Sequence, residues 1–314
     1  MREVAIVSFA QSLTTSSPLD ETEMLLPVIA EALEGAKLRK DEIGFTCSGS
    51  SDYLGGRPFS FVMALDALGA WPPIEESHVE MDGAFALYEA WVRLQLGDLD
   101  TALVYSFGKS SQGDLRDVLV SQLDPYYLAP LAPDHRSLAA LQARALVESG
   151  RCTERELAEV VKRRGRDDAE ESDGVAAIVL ATGERARKLG QRPAFIRGID
   201  HRIEAHGLGL RDLTRSSSTA IAAKRAGVAD RKVDVAELHA PFAHQELILR
   251  DALGLSRDVE IGALTPQPLM SAGLCRLGVA ARRIHDGSAN RVVAHATSGP
   301  CLQQNLVCVL QGDL

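Results

Sequence analysis

The chain is expected to fold as an α/β protein built on a mainly parallel sheet covered by helices, from two related modules. Short apolar runs of strand type alternate with longer segments of helical period. A helix–strand unit recurs in each half, and 314 residues suffice for two modules of roughly 150 residues each.

The elements follow in order. Val4–Ser8 is apolar and β-branched and opens the chain as a buried strand. Asp20–Ala36 has helical spacing, and Gly44–Ser48 is the next strand. Phe59–Leu68 is helical, His78–Met81 is a short strand, and Ala84–Leu96 is a helix leading into strand Thr101–Ser106. A helical insertion at about residues 110–170 follows, with helices Ser137–Ser149 and Glu154–Arg164. The start of the latter is marked by Thr153 with Glu156 three positions on, a capping box. Strands Gly174–Leu180 and Ala194–Asp200 flank the junction of the halves, placed at 190/191. The second half then reads helix Thr219–Ala226, strand Val233–Leu238, helix His244–Ala252, helix Leu269–Ile284, strand Arg291–Ala296 and strand Asn305–Leu310. The duplication is visible here: Ala84–Leu96 with Thr101–Ser106 matches Leu269–Ile284 with Arg291–Ala296. Asp20–Ala36 with Gly44–Ser48 matches Thr219–Ala226 with Val233–Leu238.

Composition narrows the function. A net charge of −9 without a basic stripe argues against a nucleic-acid partner. The single basic run, Lys162 to Arg166, ends a helix, where cations suit the dipole, and reads as a solvated face. Five cysteines without a Cys-x-x-Cys pair or zinc spacing indicate a reduced, cytoplasmic protein with no metal. The N-terminus lacks a charged n-region and cleavage site, and no apolar run reaches the ~18 residues of a membrane span.

Three places carry candidate chemistry. His239 stands at the carboxyl end of strand Val233–Leu238, the edge where α/β sheets bind ligands. It can donate to a carbonyl oxygen or carry a proton there, or simply be satisfied by local backbone. Cys301 follows Gly299 in the turn after strand Arg291–Ala296 and is an acid/base or inert packing. At Val79-Glu80-Met81-Asp82-Gly83-Ala84 a strand runs into a helix. A thiol at such a start would be acidified by the helix dipole, but the turn carries none. Asp82 is either the N-cap of that helix or a carboxylate base facing the crevice.

Together with Glu237-Leu238-His239-Ala240-Pro241-Phe242 and the Pro266–Gly273 segment, these places resemble the thiolase superfamily over nearly the whole chain. Within it the resemblance is to sterol-carrier-type thiolases, the lipid-transfer proteins of actinobacterial sterol side-chain degradation. It implies a duplicated five-layered α-β-α-β-α fold with mixed sheets and a dimer formed through strand His78–Met81. The pattern survives in part. Gly83 stands where the family has its acylated cysteine and Gln267 where it has the activating histidine; His239 retains the oxyanion-hole position. The family's Cys-x-Gly loop is not reproduced at Cys301, and the connections near Ala169 and Ile261 are short.

The resemblance thus implies a retro-aldolase subunit acting on a β-hydroxyacyl-CoA such as a sterol side-chain thioester, without an acyl-enzyme. His239 and backbone N–H groups at Gly83 and Gly299 would bind the thioester oxygen, with Asp82, Cys301 or Tyr127 as base; Tyr127 alternatively packs under the insertion. No intrinsic cofactor is implied, coenzyme A entering as part of the substrate. Implied partners are a second thiolase-like chain, identical or paralogous, and a small zinc-ribbon/OB-fold acyl-CoA-binding protein. A half-catalytic partner subunit, an acyltransferase and a lipid carrier are the other readings.

Overall fold

The computed structural model describes residues 1–189, 192–263 and 266–313; the expected junction at 190/191 lies outside the described residues. The first half runs β1 (Val4–Thr14), α1 (Glu21–Ala36), β2 (Phe45–Gly49), α2 (Asp52–Gly55), α3 (Phe61–Leu68), β3 (Glu76–Val79), α4 (Gly83–Gln95) and β4 (Thr101–Lys109). The insertion holds α5 (Leu115–Ser121), α6 (His135–Glu148) and α7 (Glu154–Arg164), and β5 (Glu171–Thr182) and α8 (Gly183–Lys188) follow. The second half runs β6 (Ala194–Ile203), α9 (Ser217–Ala226), β7 (Val235–Leu238), α10 (Ala243–Ala252), β8 (Glu260–Ile261), β9 (Gln267–Pro268), α11 (Ala272–His285), β10 (Arg291–Ser298) and β11 (Gln304–Gln311).

The strand order is β3-β2-β4-β5-β1-β6-β11-β10-β7-β8, with β9 paired to β5. Read outward from the middle, both halves have the same order and the same directions. β1–β5–β4 and β6–β11–β10 are antiparallel, whereas β2 and β7 are parallel to both their neighbours. The halves meet where Ala5 and Ile6 of β1 pair with Phe195 and Ala194 of β6. The duplication expected from the helix–strand repeat is therefore present. The sheet is mixed, as the family resemblance implied, and not mainly parallel as the alternation of elements suggested, because that alternation does not report strand direction.

Three apolar clusters define five layers. One lies between the two halves of the sheet, filled by α4 and α11 with Ile6, Val104, Ile178, Val292 and Leu306. Another packs α1 and α3 on the outer face of the first half, and the third packs α9 and α10 on the outer face of the second. Burying two helices between sheets explains why α4 and α11 are apolar well beyond one stripe. Close approach requires Gly278 in α11, where a Cβ would lie 2.1 Å from the Phe9 ring.

Two element expectations change. β3 ends at Val79, because Met81 N–H turns back onto the Val79 carbonyl (2.8 Å) and takes the chain out of the sheet. Nor is the basic run simply a solvated face: Arg164 is half-buried and donates to the carbonyls of Ala240 (3.0 Å) and Pro241 (3.1 Å), behind His239. Among the described residues no helix is long and apolar enough to cross a membrane.

Candidate active site

A cavity of about 590 Å³ opens at the carboxyl ends of β7 and β10, bounded by the insertion and by the turns before α4 and α11. Asp82, His239, Gln267, Gly299 and Cys301 line it, and His135 and Glu171 reach it from the insertion side. It is the crevice position expected for a ligand in an α/β sheet.

His239 is 8% exposed at the end of β7. Its Nδ1 accepts the Thr297 backbone N–H (3.3 Å), so the ring proton of the neutral form resides on Nε2. Burial drives its pKa down to about 3, helped by His295 and Arg276; nearby Gln267 works in the other direction. At neutral pH His239 is thus an uncharged imidazole with one N–H to offer, suited to polarise an oxygen rather than to ferry a proton. Both side-chain amide atoms of Gln267 are buried without a hydrogen-bond partner of good geometry. Such groups are costly in a finished core and suit a wall that completes its bonding with a ligand.

Asp82 is the N-cap of α4 and more. Its Oδ1 accepts Ala84 N–H (2.8 Å) and Leu274 N–H (3.0 Å), and its Oδ2 accepts Gly273 N–H (2.8 Å). One buried carboxylate therefore ties together the starts of the two central helices. Burial pushes its pKa up to about 6 against the pull of those three N–H groups. Both oxygens are committed to backbone, which favours the capping role over that of a base.

Three other expectations change. The Gly83 N–H donates to the Met270 carbonyl (2.9 Å), so it is not free to bind a thioester oxygen. A Cβ at position 83 would meet Ser106 Cβ (2.5 Å), Ser106 Oγ (2.7 Å) and Leu274 Cδ2 (2.9 Å), pointing into the central layer. Gly83→Cys is expected to cost about 1–3 kcal/mol in urea unfolding by overpacking, and its intact mass is expected to stay unchanged after incubation with acetyl-CoA. Tyr127 is 79% exposed and does not line the cavity, its turn capped by Asp124, so it is no base for this site. Cys301 does line the cavity, but its Sγ faces the Leu138 carbonyl (3.4 Å) and burial pushes its pKa up to about 11. A protonated thiol at neutral pH is a poor base and a poor nucleophile. Gly299 sits on the cavity rim with φ +73°, in a loop fastened by Arg211 to the carbonyls of Pro300 (2.7 Å) and Cys301 (3.1 Å).

Sequence reasoning missed His135 and Glu171, whose side chains meet at 3.2 Å on the cavity wall. Thirty-six positions separate them, and only the placement of α6 over the start of β5 joins them.

No protein-family model and no curated protein matches the sequence. Solved structures do match the fold. A structure described as "Ltp2-ChsH2(DUF35) aldolase" superposes with a TM-score of 0.79 at 15% identity, covering 99% of this chain and 98% of that one. The Bacillus anthracis acetyl-CoA acetyltransferase superposes with a TM-score of 0.78 at 15% identity, covering 100% of this chain and 99% of its own. With the duplicated strand order and the two helices buried between sheet halves, these matches give the chain the thiolase fold.

Proposed function

We propose that this chain is an acyl-CoA enzyme that works without an acylated cysteine, as a retro-aldolase subunit cleaving a β-hydroxyacyl-CoA. The observation that carries the reading is His239: a neutral imidazole with its donor nitrogen fixed by Thr297, in a cavity where the one lining thiol among the described residues, Cys301, is protonated. Retro-aldol cleavage expels a thioester enolate and needs a donor for the enolate oxygen, but no covalent nucleophile. Thiolysis needs an acyl-enzyme, and Asp82-Gly83-Ala84 offers no thiol at the helix tip. The likeness in fold to an aldolase supports the reading.

A partner subunit is part of the proposal. β3 is the terminal strand at the first half's edge of the sheet, and pairing it with the same strand of a second thiolase-like chain would extend the sheet across a two-fold axis. The second chain is a copy of this one or a paralogue. The aldolase neighbour's name joins Ltp2 with ChsH2(DUF35), which supports a second kind of subunit in the assembly; for this chain the proposed one is a small zinc-ribbon/OB-fold acyl-CoA-binding protein. The chain alone, and co-expressed with a paralogue, is to be assayed for acetyl- or propionyl-CoA released from a β-hydroxyacyl-CoA, with gel filtration of the same samples. Release by a dimeric species is expected. A monomer at micromolar concentration, or no release in either sample, would contradict the proposal.

A further inference from the structure

We propose that Glu171 is the general base that takes the β-hydroxyl proton, on its oxygen Oε2; this deepens the retro-aldolase reading above and rests on it. The three bases read from the sequence do not serve: Asp82 is committed to helix starts, Cys301 is protonated, and Tyr127 lies outside the cavity. A base has to reach the substrate hydroxyl with an unoccupied lone pair.

Four carboxylates line the cavity among the described residues: Glu80, Asp82, Asp168 and Glu171. In three of them both oxygens are engaged. Glu80 Oε1 accepts the Asp52 N–H (2.6 Å), and its Oε2 faces His78 Nε2 (3.4 Å). Asp82 accepts three backbone N–H groups, and Asp168 pairs through Oδ2 with Arg136 (3.1 Å) and through Oδ1 with Arg166 (3.5 Å). Glu171 differs. Its Oε1 lies against His135 Nε2 (3.2 Å) and Arg136 Nη2 (3.7 Å), whereas Oε2 accepts no hydrogen bond among the described residues. The side chain is 42% exposed, so the open oxygen is within reach of a ligand in the cavity. A carboxylate anchored by one oxygen keeps the lone pairs of the other for a proton.

The sheet places this carboxylate beside the oxyanion donor. Glu171 is the register partner of Gln267 in the parallel β5–β9 pair, so their side chains leave the same face of adjacent strands about 5 Å apart. The Gln267 N–H donates to the Glu170 carbonyl (2.7 Å) and holds that register. The Gln267 amide in turn neighbours the His239 imidazole, closely enough to act on its protonation. Glu171 therefore stands one side chain away from His239. The segment before it is fastened to the same place: Ala169 N–H donates to the Pro241 carbonyl (2.8 Å) and Ala243 N–H to the Asp167 carbonyl (2.9 Å), in the turn that follows His239. In a β-hydroxyacyl thioester the carbonyl and the hydroxyl sit on the first and third carbons, so donor and base must address one ligand at neighbouring points of one wall.

In the step so assigned, Glu171 Oε2 accepts the hydroxyl proton and the O–H electron pair becomes the second bond of the product carbonyl. The Cα–Cβ bond breaks, and its pair passes into the thioester enolate, whose oxygen accepts a hydrogen bond from His239 Nε2–H. Glu171 then returns its proton to Cα, giving a shortened acyl-CoA and a free carbonyl fragment. Protons and electrons close without an oxidant or reductant.

The test compares wild type, Glu171→Gln and Glu171→Ala in the assembly that cleaves β-hydroxyacyl-CoA, with kcat, acyl-CoA affinity and Tm measured for each. Glu171→Gln keeps the shape of the side chain and removes the base. It is expected to lower kcat by about 10²–10⁴-fold while acyl-CoA affinity stays within about threefold. Glu171→Ala is expected to regain turnover with added formate, saturably, because formate supplies the missing carboxylate in the vacated space. Wild-type turnover in Glu171→Gln overturns the assignment and leaves the retro-aldolase reading standing. A wild type that cleaves no β-hydroxyacyl-CoA, alone or with a paralogue, overturns both. Turnover lost in step with acyl-CoA affinity or with Tm, and not regained with formate, makes Glu171 a structural residue and overturns the assignment as well.

Discussion

His239→Ala is expected to lower the rate of acyl-CoA release by about 10²–10³-fold, the scale seen when one donor is removed from an oxyanion site. The reason is the fixed tautomer: Thr297 N–H occupies Nδ1, so Nε2–H is the ring's one donor, and alanine removes it. Stability should change less. The substitution leaves the Thr297 N–H without its acceptor inside the protein, a cost of about 1–3 kcal/mol, which for a chain of this length lowers Tm by only a few degrees. Measuring kcat, acyl-CoA affinity and Tm on one preparation separates the effects. Lost turnover with retained binding supports the oxyanion role, and a wild-type rate removes it.

Acid is expected to destabilise the fold well above the usual carboxylate range. Burial lowers the pKa of His239 to about 3 and those of His244 and His295 to about 4, against an ordinary 6.5. The unfolded chain therefore binds protons at these three positions that the folded chain refuses. Their contribution is intact above pH 6.5 and is lost as pH falls below it, levelling off only below the folded values. Between pH 7.5 and 5.5 the three together remove about 4 kcal/mol. Asp82 has the opposite sign: its raised pKa, about 6, makes the folded state the better proton binder, and acidification over the same window returns about 1 kcal/mol. These four groups together lose about 3 kcal/mol, measurable by urea unfolding at the two pH values; His201 and His285, whose pKa values burial also lowers, act with the same sign, and Glu237, raised by burial, with the opposite one. Equal stability at both would show that these imidazoles are solvated or protonated in the folded protein.

What the sequence made legible follows from how local its physical causes are. The helix Glu154–Arg164 is found with its bounds intact because Thr153 and Glu156 satisfy each other's backbone N–H groups within one turn. His239 is legible because it follows an apolar strand at the sheet edge where ligands bind. The helix α5 was missed, its start fixed by Asp114 accepting the N–H groups of Arg116 and Asp117 in a polar stretch without strong apolar period. The two-residue β9 includes a proline and exists only through its pairing with β5.

The site was less legible than the fold because direction is a three-dimensional property. Position 83 is where the sequence resemblance implies a reactive residue, yet the Cα–Cβ direction there runs into Ser106 and Leu274. Asp82 reads from sequence as the cap of one helix, and its second helix start, Gly273–Leu274, lies more than 190 positions away. Arg164 sits in a run of charges like any exposed helix end, and only the fold brings it against Ala240 and Pro241.

On the proposed function, this cavity polarises a thioester without the chain becoming acylated. Intact-mass measurement of the protein during turnover of a β-hydroxyacyl-CoA, with the released thioesters analysed in the same samples, tests it most directly. An unchanged protein mass throughout is expected, with acetyl- or propionyl-CoA and a carbonyl fragment accumulating in equal amounts. A transient mass gain of one acyl group on any cysteine, Cys301 above all, accompanied by free coenzyme A, would contradict it.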